Sequence, residues 1–272
     1  MKNYKIGVST CGRLIAPEEF EAYAKAGVEV MELCFRWDKY DDVDWAALKI
    51  GADKAGIQIR SIHMPFSGED NPAHPDEAIR QKAIARYKDI MAKSAVIGAS
   101  VFVIHASSEP IEDSERPLQM ENAKKTLSEL AEFAKTVSAC VAVEDLPRTC
   151  LGHDSDEISE LISVHDNLFV CFDTNHLSKQ KNEDFVKAVG DKIVTLHVSD
   201  YDYIDEKHWL PGGGDINWVR LMDAIDNADY AGPLMYELYR VKGKDTRPVT
   251  PEEFVRNAKE LMARKPLTKP EV

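Results

Sequence analysis

A chain of 272 residues has room for two average domains or for one barrel of eight β/α units, which needs roughly 250 residues. With 44% apolar and 30% charged residues it can bury a sizeable core without disulfides or a structural metal. The net charge of −13 argues against a long polyanion such as DNA as partner unless basic residues gather on one face. No such gathering is visible: the most basic stretch, 259–269, follows the last strand-like run and reads as a solvated helix end with a frayed tail. The five cysteines, Cys11, Cys34, Cys140, Cys150 and Cys171, form no CxxC pair, which fits a reducing cytoplasm. No apolar run has the character of a signal region or a membrane span.

Short β-branched or apolar runs alternate with amphipathic stretches along the whole chain. The predicted strands are KIGVS near Lys5, VEVMEL at Val28, IQIRSIH at Ile57, VFVIHA at Val101, VAVEDL at Val141, LFVCFD at Leu168, IVTLHVS at Ile193 and PLMYEL at Pro233. Pro17, Glu18 and Glu19 open the first intervening helix, while Thr250, Pro251, Glu252 and Glu253 supply an N-cap, an N1 proline and first-turn acids for the last. Gly27, Gly56 and Gly98 each precede a strand, as expected of the left-handed residue that ends a helix. Eight such units without a linker predict a single-domain (β/α)₈ TIM barrel over residues 1–272. The alternative, a doubly wound open sheet, lacks its nucleotide fingerprint. The glycine cluster Gly212–Gly214 comes late and is followed by Asp215, which suits a tight turn and an N-cap for INWVRLMDAI better than a phosphate cradle.

Barrel strands are buried on both faces, so an ionisable side chain at a strand end is costly unless paired, neutralised or bound to metal. Such residues recur at the carboxyl ends of the predicted strands: Glu32, His63, His105, Glu144, Asp173 with His176, His197 and Glu237. Five of the eight histidines, His208 included, fall at or after strand ends. A lone histidine there is more often structural than a ligand; this convergence, on the rim where barrels build active sites, points to a metal or catalytic centre. Mixed carboxylate and imidazole donors suit Mn²⁺, Zn²⁺, Co²⁺ or Fe²⁺, disfavour Ca²⁺ and leave Mg²⁺ open. Trp37 and Trp209 follow the second and seventh strands and either stack on a sugar face or pack over the rim.

The ordered blocks IHMP, VIHAS, VEDLPRTC, FDTNH, LHVSD, KHWLPGGGDINW and MYEL resemble the xylose isomerase-like barrel superfamily of sugar isomerases and epimerases, with endonuclease IV as a more distant member. The resemblance covers nearly the whole chain and implies that Glu144, Asp173, His197 and Glu237 are the ligands of one divalent ion (Mn²⁺, Zn²⁺, Co²⁺ or Mg²⁺), as in ketose epimerases of the tagatose type. It further implies that His176 contacts sugar and that His63 and His105 line the pocket or, as in endonuclease IV, bind extra zinc. Glu206 and His208 resemble the Asp-x-His pair of that nuclease, with Glu in place of Asp. The arginine that tagatose-type epimerases carry after the strand-seven histidine is absent from SDYDYIDEK.

In such a site a chelated ion stabilises an enediolate, while Glu144 and Glu237 act as bases on opposite faces to epimerise, or on one face to interconvert aldose and ketose. An inosose-type dehydratase begins with the same proton loss. The rival reading is a zinc phosphodiesterase acting on abasic DNA, opposed by the acidic loops SGEDNPAHPDE and SSEPIEDSE; a non-catalytic carbohydrate-binding role does not call for so full an acid and histidine set. The expected partner is therefore a small carbohydrate, with neither nucleic acid nor membrane, and with homo-oligomerisation left open.

Overall fold

The alternation of apolar runs with amphipathic stretches is realised as eight parallel strands, each followed by a helix. The computed structural model describes residues 2–269 and Glu271. The elements are β1 Ile6–Ser9, α1 Glu19–Ala26, β2 Val30–Leu33, α2 Trp45–Ala55, β3 Gln58–His63, α3 Glu77–Ser94, β4 Val101–His105 and α4 Arg116–Thr136. They continue with β5 Cys140–Glu144, α5 Ser155–Ile162, β6 Leu168–Asp173, α6 Asn182–Val189, β7 Ile193–His197, α7 Trp218–Asn227, β8 Leu234–Tyr236 and α8 Pro251–Met262. Strand order runs β7-β6-β5-β4-β3-β2-β1-β8. A parallel bridge from Val198 to Tyr236, in which Val198 N–H donates to Met235 C=O at 2.7 Å, joins β7 to β8 and closes the ring. The fold is a single (β/α)₈ TIM barrel, as predicted.

The period of two along a strand divides each one between the ring of helices and the barrel axis. Outward residues such as Met31, Ile62, Phe102, Phe172 and Leu196 are almost wholly buried under the helices, where each full burial contributes about 1.5–3 kcal/mol. Val101, Val103, Ala142 and Cys171 form a separate small apolar cluster, the packed layer of the barrel axis. Two residues further along their strands from Ala142 and Cys171 stand Glu144 and Asp173, so the same alternation that fills the barrel lifts these carboxylates onto its carboxyl-terminal rim. Register aligns them across strands: His105 lies opposite Glu144, and Asp173 opposite His197.

Helix ends follow the expected signals with two exceptions. Gly27 and Gly56 adopt left-handed φ of 108° and 74° after α1 and α2, and Thr250 with Glu253 forms a reciprocal capping box on α8. The cap of α7, however, is Asn217, whose side chain accepts from Arg220 N–H at 3.1 Å; Asp215 lies earlier, in the turn, with its N–H donating to Tyr201 C=O. Gly214 is required in that turn because a Cβ there would meet the Tyr201 carbonyl oxygen at 2.3 Å. The basic stretch after α8 also differs from a frayed tail. Leu267 packs against the core and over Gly212, and Thr268 N–H and Oγ1 bond Glu260, so apolar burial and these two bonds fix the segment. Among the described residues no helix is long and apolar enough to cross a membrane.

Candidate metal and active site

Donor atoms of Glu144, Asp173, His197 and Glu237, from the ends of β5, β6, β7 and β8, all lie within 4.8 Å of one another. The His197 Nδ1 atom is 3.0 Å from Glu144 Oε1, 3.2 Å from Glu237 Oε2 and 3.9 Å from Asp173 Oδ2. Its Nε2 lies 2.9 Å from Glu32 Oε1, and Glu32 Oε2 in turn accepts from Ser61 Oγ at 2.7 Å. With Glu32 accepting at Nε2, the tautomer that leaves the Nδ1 lone pair facing the three carboxylates is favoured. Glu32 is thereby a supporting residue that the strand-end pattern exposed without revealing its partner.

Two buried carboxylates and a half-buried third in so small a space repel one another, and their proton affinities record it. Burial, assisted by Glu237 and Glu144, raises the Asp173 carboxyl to about 7 against the opposing pull of His176 and His208. Burial also works to raise Glu144 and Glu237, but imidazole outweighs it: His197 and His105 hold Glu144 well below the ordinary range, and His197 brings Glu237 to about 2. Asp173 Oδ1 accepts from Asn175 N–H at 2.7 Å, whereas Oδ2, fully buried, has no hydrogen-bond partner. An orphaned carboxylate oxygen aimed at two further carboxylates and an imidazole nitrogen matches the donor set of Mn²⁺, Zn²⁺, Co²⁺ or Mg²⁺.

The other four strand-end histidines surround this centre. The His63 ring donates from Nδ1 to Met64 C=O at 2.9 Å and places Nε2 3.0 Å from Glu144 Oε2; burial lowers its proton affinity, but Glu144 prevails and lifts it to about 9. His105 Nε2 approaches the same oxygen at 3.2 Å, so Glu144 faces His197 with one oxygen and this pair with the other. His176 donates from Nδ1 to Asp145 C=O at 2.7 Å and holds Nε2 3.6 Å from Asp173 Oδ2. His208, in a left-handed conformation (φ 48°), donates from Nδ1 to Glu237 C=O at 3.0 Å and meets Glu206 Oε1 at 2.9 Å.

Glu144, Glu237, Glu206 and the histidines His63, His105, His176 and His208 open into one cavity of about 740 Å³, lined also by Trp37 but not by Trp209, while Asp173 and His197 lie beneath that lining. The main chain of Trp209 pairs with Asp200, and its indole ring lies under the Lys242 ammonium at 4.3 Å, so the stacking role read from sequence for Trp209 does not match its place. Arg148 is the residue that sequence reading passed over. Although it belongs to the quoted block VEDLPRTC, it reaches from the loop after β5 to Glu109, to Asp205 at 2.8 Å and to Glu206 at 3.1 Å. An arginine thus stands beside the loop after β7 even though that loop's own sequence carries none.

These features define a carboxylate-rich, histidine-ringed centre at the mouth of a TIM barrel. The chain belongs to the xylose isomerase-like TIM barrel family, whose model matches residues 20–264. It is similar to a D-psicose 3-epimerase of Ruminiclostridium cellulolyticum, 25% identical over 232 residues covering 80% of this chain and 76% of that one. An inosose isomerase of Halalkalibacterium halodurans is 28% identical over 198 residues, 68% of each chain. A D-tagatose 3-epimerase-like protein superposes with a TM-score of 0.80 at 22% identity over 96% of both chains and shows the same fold.

Proposed function

We propose that the protein is a sugar isomerase or epimerase that holds one divalent cation among Glu144, Asp173, His197 and Glu237. The observation that carries this reading is the clustering of four donors within 4.8 Å around Asp173 Oδ2, a fully buried oxygen without a hydrogen-bond partner. The likeness to psicose 3-epimerase and inosose isomerase supports a carbohydrate carrying a carbonyl as substrate. A bound divalent ion supplies Lewis-acid stabilisation of the charge that builds on a carbonyl oxygen when the neighbouring carbon loses its proton.

The chain's own residues do the rest. Glu144 and Glu237 flank Asp173 and His197 from β5 and β8, so each can address a different face of a substrate carbon; one removes the proton and the other returns it, inverting the centre. Service from one face alone moves the proton between adjacent carbons and interconverts aldose and ketose. Departure of a leaving group after proton loss gives the dehydratase variant. His63, His105, His176, Glu206 and His208 ring the cavity as hydroxyl partners. The five cysteines are all free, which supports a reducing compartment such as the cytoplasm.

A second reading is favoured by one observation, the additional donor groups His63–His105–Glu144 and Asp173–His176–His208, which suit a multi-zinc phosphodiesterase. The net charge of −13 and the acidic residues Glu109, Asp205 and Glu206 at the mouth oppose nucleic acid. The test is incubation of the metal-loaded protein in D₂O with a panel of ketoses, aldoses, inososes and their phosphates, beside DNA containing abasic sites. The expected result is exchange at a carbon next to a carbonyl and intact DNA. Incision of the DNA without sugar exchange contradicts the isomerase reading.

A further inference from the structure

We infer that the cavity takes an unphosphorylated carbohydrate bearing an apolar, ring-sized substituent, with the sugar on the carboxylate and histidine floor and the substituent against an aromatic arc at the mouth. This rests on the isomerase reading above and narrows its substrate class. At about 740 Å³ the cavity falls in the range of roughly 300–1,000 Å³ that suits ligands considerably larger than one sugar ring.

Its mouth is divided in two. Over β4, β5 and β7 the wall is polar, with Glu109, Arg148 and Glu206 tied together. On the other side, Trp37 after β2, Phe66 after β3 and Tyr239 after β8 are 53%, 46% and 38% exposed, an unusual density of exposed rings for the rim of a polar site. These loops belong to a contiguous part of the barrel, since β3, β2, β1 and β8 are neighbours. Between them, after β1, stands Gly12, where a Cβ would meet nothing within 4 Å; the arc encloses open space there.

Two of the rings, Phe66 and Tyr239, are held by neighbouring side chains, and Trp37 is held at its main chain. One face of Phe66 stacks on His105, with centroids 4.2 Å apart and planes at 24°, and the Trp37 carbonyl is bound by Arg86, itself held by Asp70. Tyr239 is steadied by the guanidinium groups of Arg13 at 4.8 Å and Arg240 at 5.4 Å. Rings continuous with the cavity, two of them already packed, suit an apolar group of the substrate, which gains burial there at a reduced ordering cost in the protein.

Charge excludes the phosphorylated alternative. Among the described residues that line the cavity there is no lysine, and both arginines are already engaged. Arg36 forms a two-pronged pair with Asp38, and Arg148 is shared by Glu109, Asp205 and Glu206. A phosphate entering this mouth would meet arginines already paired with carboxylates.

A substituent joined at the anomeric carbon closes that carbon, so a carbonyl needed for proton abstraction must stand elsewhere on the ring, and C3 is the position chosen for the probes. The metal-loaded full chain is titrated calorimetrically with 3-keto-D-glucose, its phenyl β-glycoside and its 6-phosphate. The expected result is that the phenyl glycoside binds at least roughly ten-fold more tightly than the free sugar, that the phosphate binds no more tightly, and that Trp37→Ala and Phe66→Ala each bring the phenyl preference towards unity. A phenyl glycoside that binds no better than the free sugar or not at all, a preference for the phosphate, or a preference intact in both variants overturns the inference. So does light scattering that finds a dimer dissociated by Trp37→Ala, which makes the arc an interface between copies. Deuterium exchange of the same probes separates the two claims: exchange without phenyl preference overturns only this inference, whereas phenyl-selective binding without exchange at any probe overturns only the isomerase reading.

Discussion

Asp200 and Asp173 are both fully buried carboxylates beyond the polar end of the same barrel, yet their surroundings are opposite. Asp200 accepts from four donors: Tyr201 N–H at 3.0 Å and Ile216 N–H at 3.2 Å on one oxygen, Gly212 N–H at 2.8 Å and Trp218 Nε1–H at 3.0 Å on the other. Those bonds gather the glycine turn, the start of α7 and the strand-seven loop into one knot. Asp173 has a single main-chain donor, one oxygen without any, and acidic neighbours. A buried charge with a complete donor set is explained by the fold; one left incomplete among like charges is the feature on which the proposed divalent cation rests.

The largest effect is expected from replacing either of the proposed bases. Glu144→Gln or Glu237→Gln, at saturating metal, should lower conversion roughly 10²- to 10⁴-fold, as loss of a positioned base typically does. Deuterium exchange from the retained face can persist in one of them without inversion. Parent-like conversion in both variants would assign the proton transfer to another group, such as His176 or His63.

Next in size is the structural side. Asp200→Asn keeps the volume but turns an amide NH₂ toward two N–H donors, so chemical denaturation should show a loss of about 2–4 kcal/mol. An unchanged midpoint would remove the distinction between the two carboxylates.

Glu32→Gln tests the support of His197. Loss of the charge on the far ring nitrogen should weaken metal binding roughly ten-fold by calorimetry, while a merely structural role would move the melting temperature and leave affinity alone.

The smallest effect has the opposite sign from that at Asp200. Asp173→Asn relieves repulsion in the metal-free protein, and its NH₂ can donate to the neighbouring carboxylates, so stability in chelator should rise by about 1 kcal/mol at alkaline pH. The gain depends on pH in a defined direction. The Asp173 carboxyl is raised from 3.8 to about 7 on folding, so its contribution to stability is complete below about 3.8 and lost as pH rises through about 7. The advantage of the Asn variant should therefore grow across that window, as denaturant curves at pH 5 and pH 8 would record.

What could be read in the sequence divides along physical lines. Strands and their carboxyl-end polar residues were legible because a barrel strand forces side chains alternately inward and outward, so an acid at Glu144 or Asp173 has a defined destination. Loop residues carry no such periodicity. Trp37 and Trp209 look equivalent in the chain, but the antiparallel pairing of Trp209 with Asp200 turns its ring toward Lys242 and away from the cavity. Arg148 reaches its acids only because the chain after Pro147 takes a left-handed turn, φ 57°, and Asn217 displaces Asp215 as the cap because Asp200 draws the glycine turn inward. The partnership of Glu32 with His197 joins residues 165 positions apart, and the need of a liganding imidazole for an acceptor at its far nitrogen was the one signal pointing to it.

Whether the incomplete centre around Asp173 is a metal site is tested most directly by Mn²⁺ titration of chelator-treated protein followed by native mass spectrometry and calorimetry. The expected result is one tightly held ion per chain, lost in Asp173→Ala and His197→Ala although both remain folded by circular dichroism. Absence of binding by Mn²⁺, Zn²⁺, Co²⁺ and Mg²⁺ to the intact protein, or binding unchanged in both variants, would contradict it.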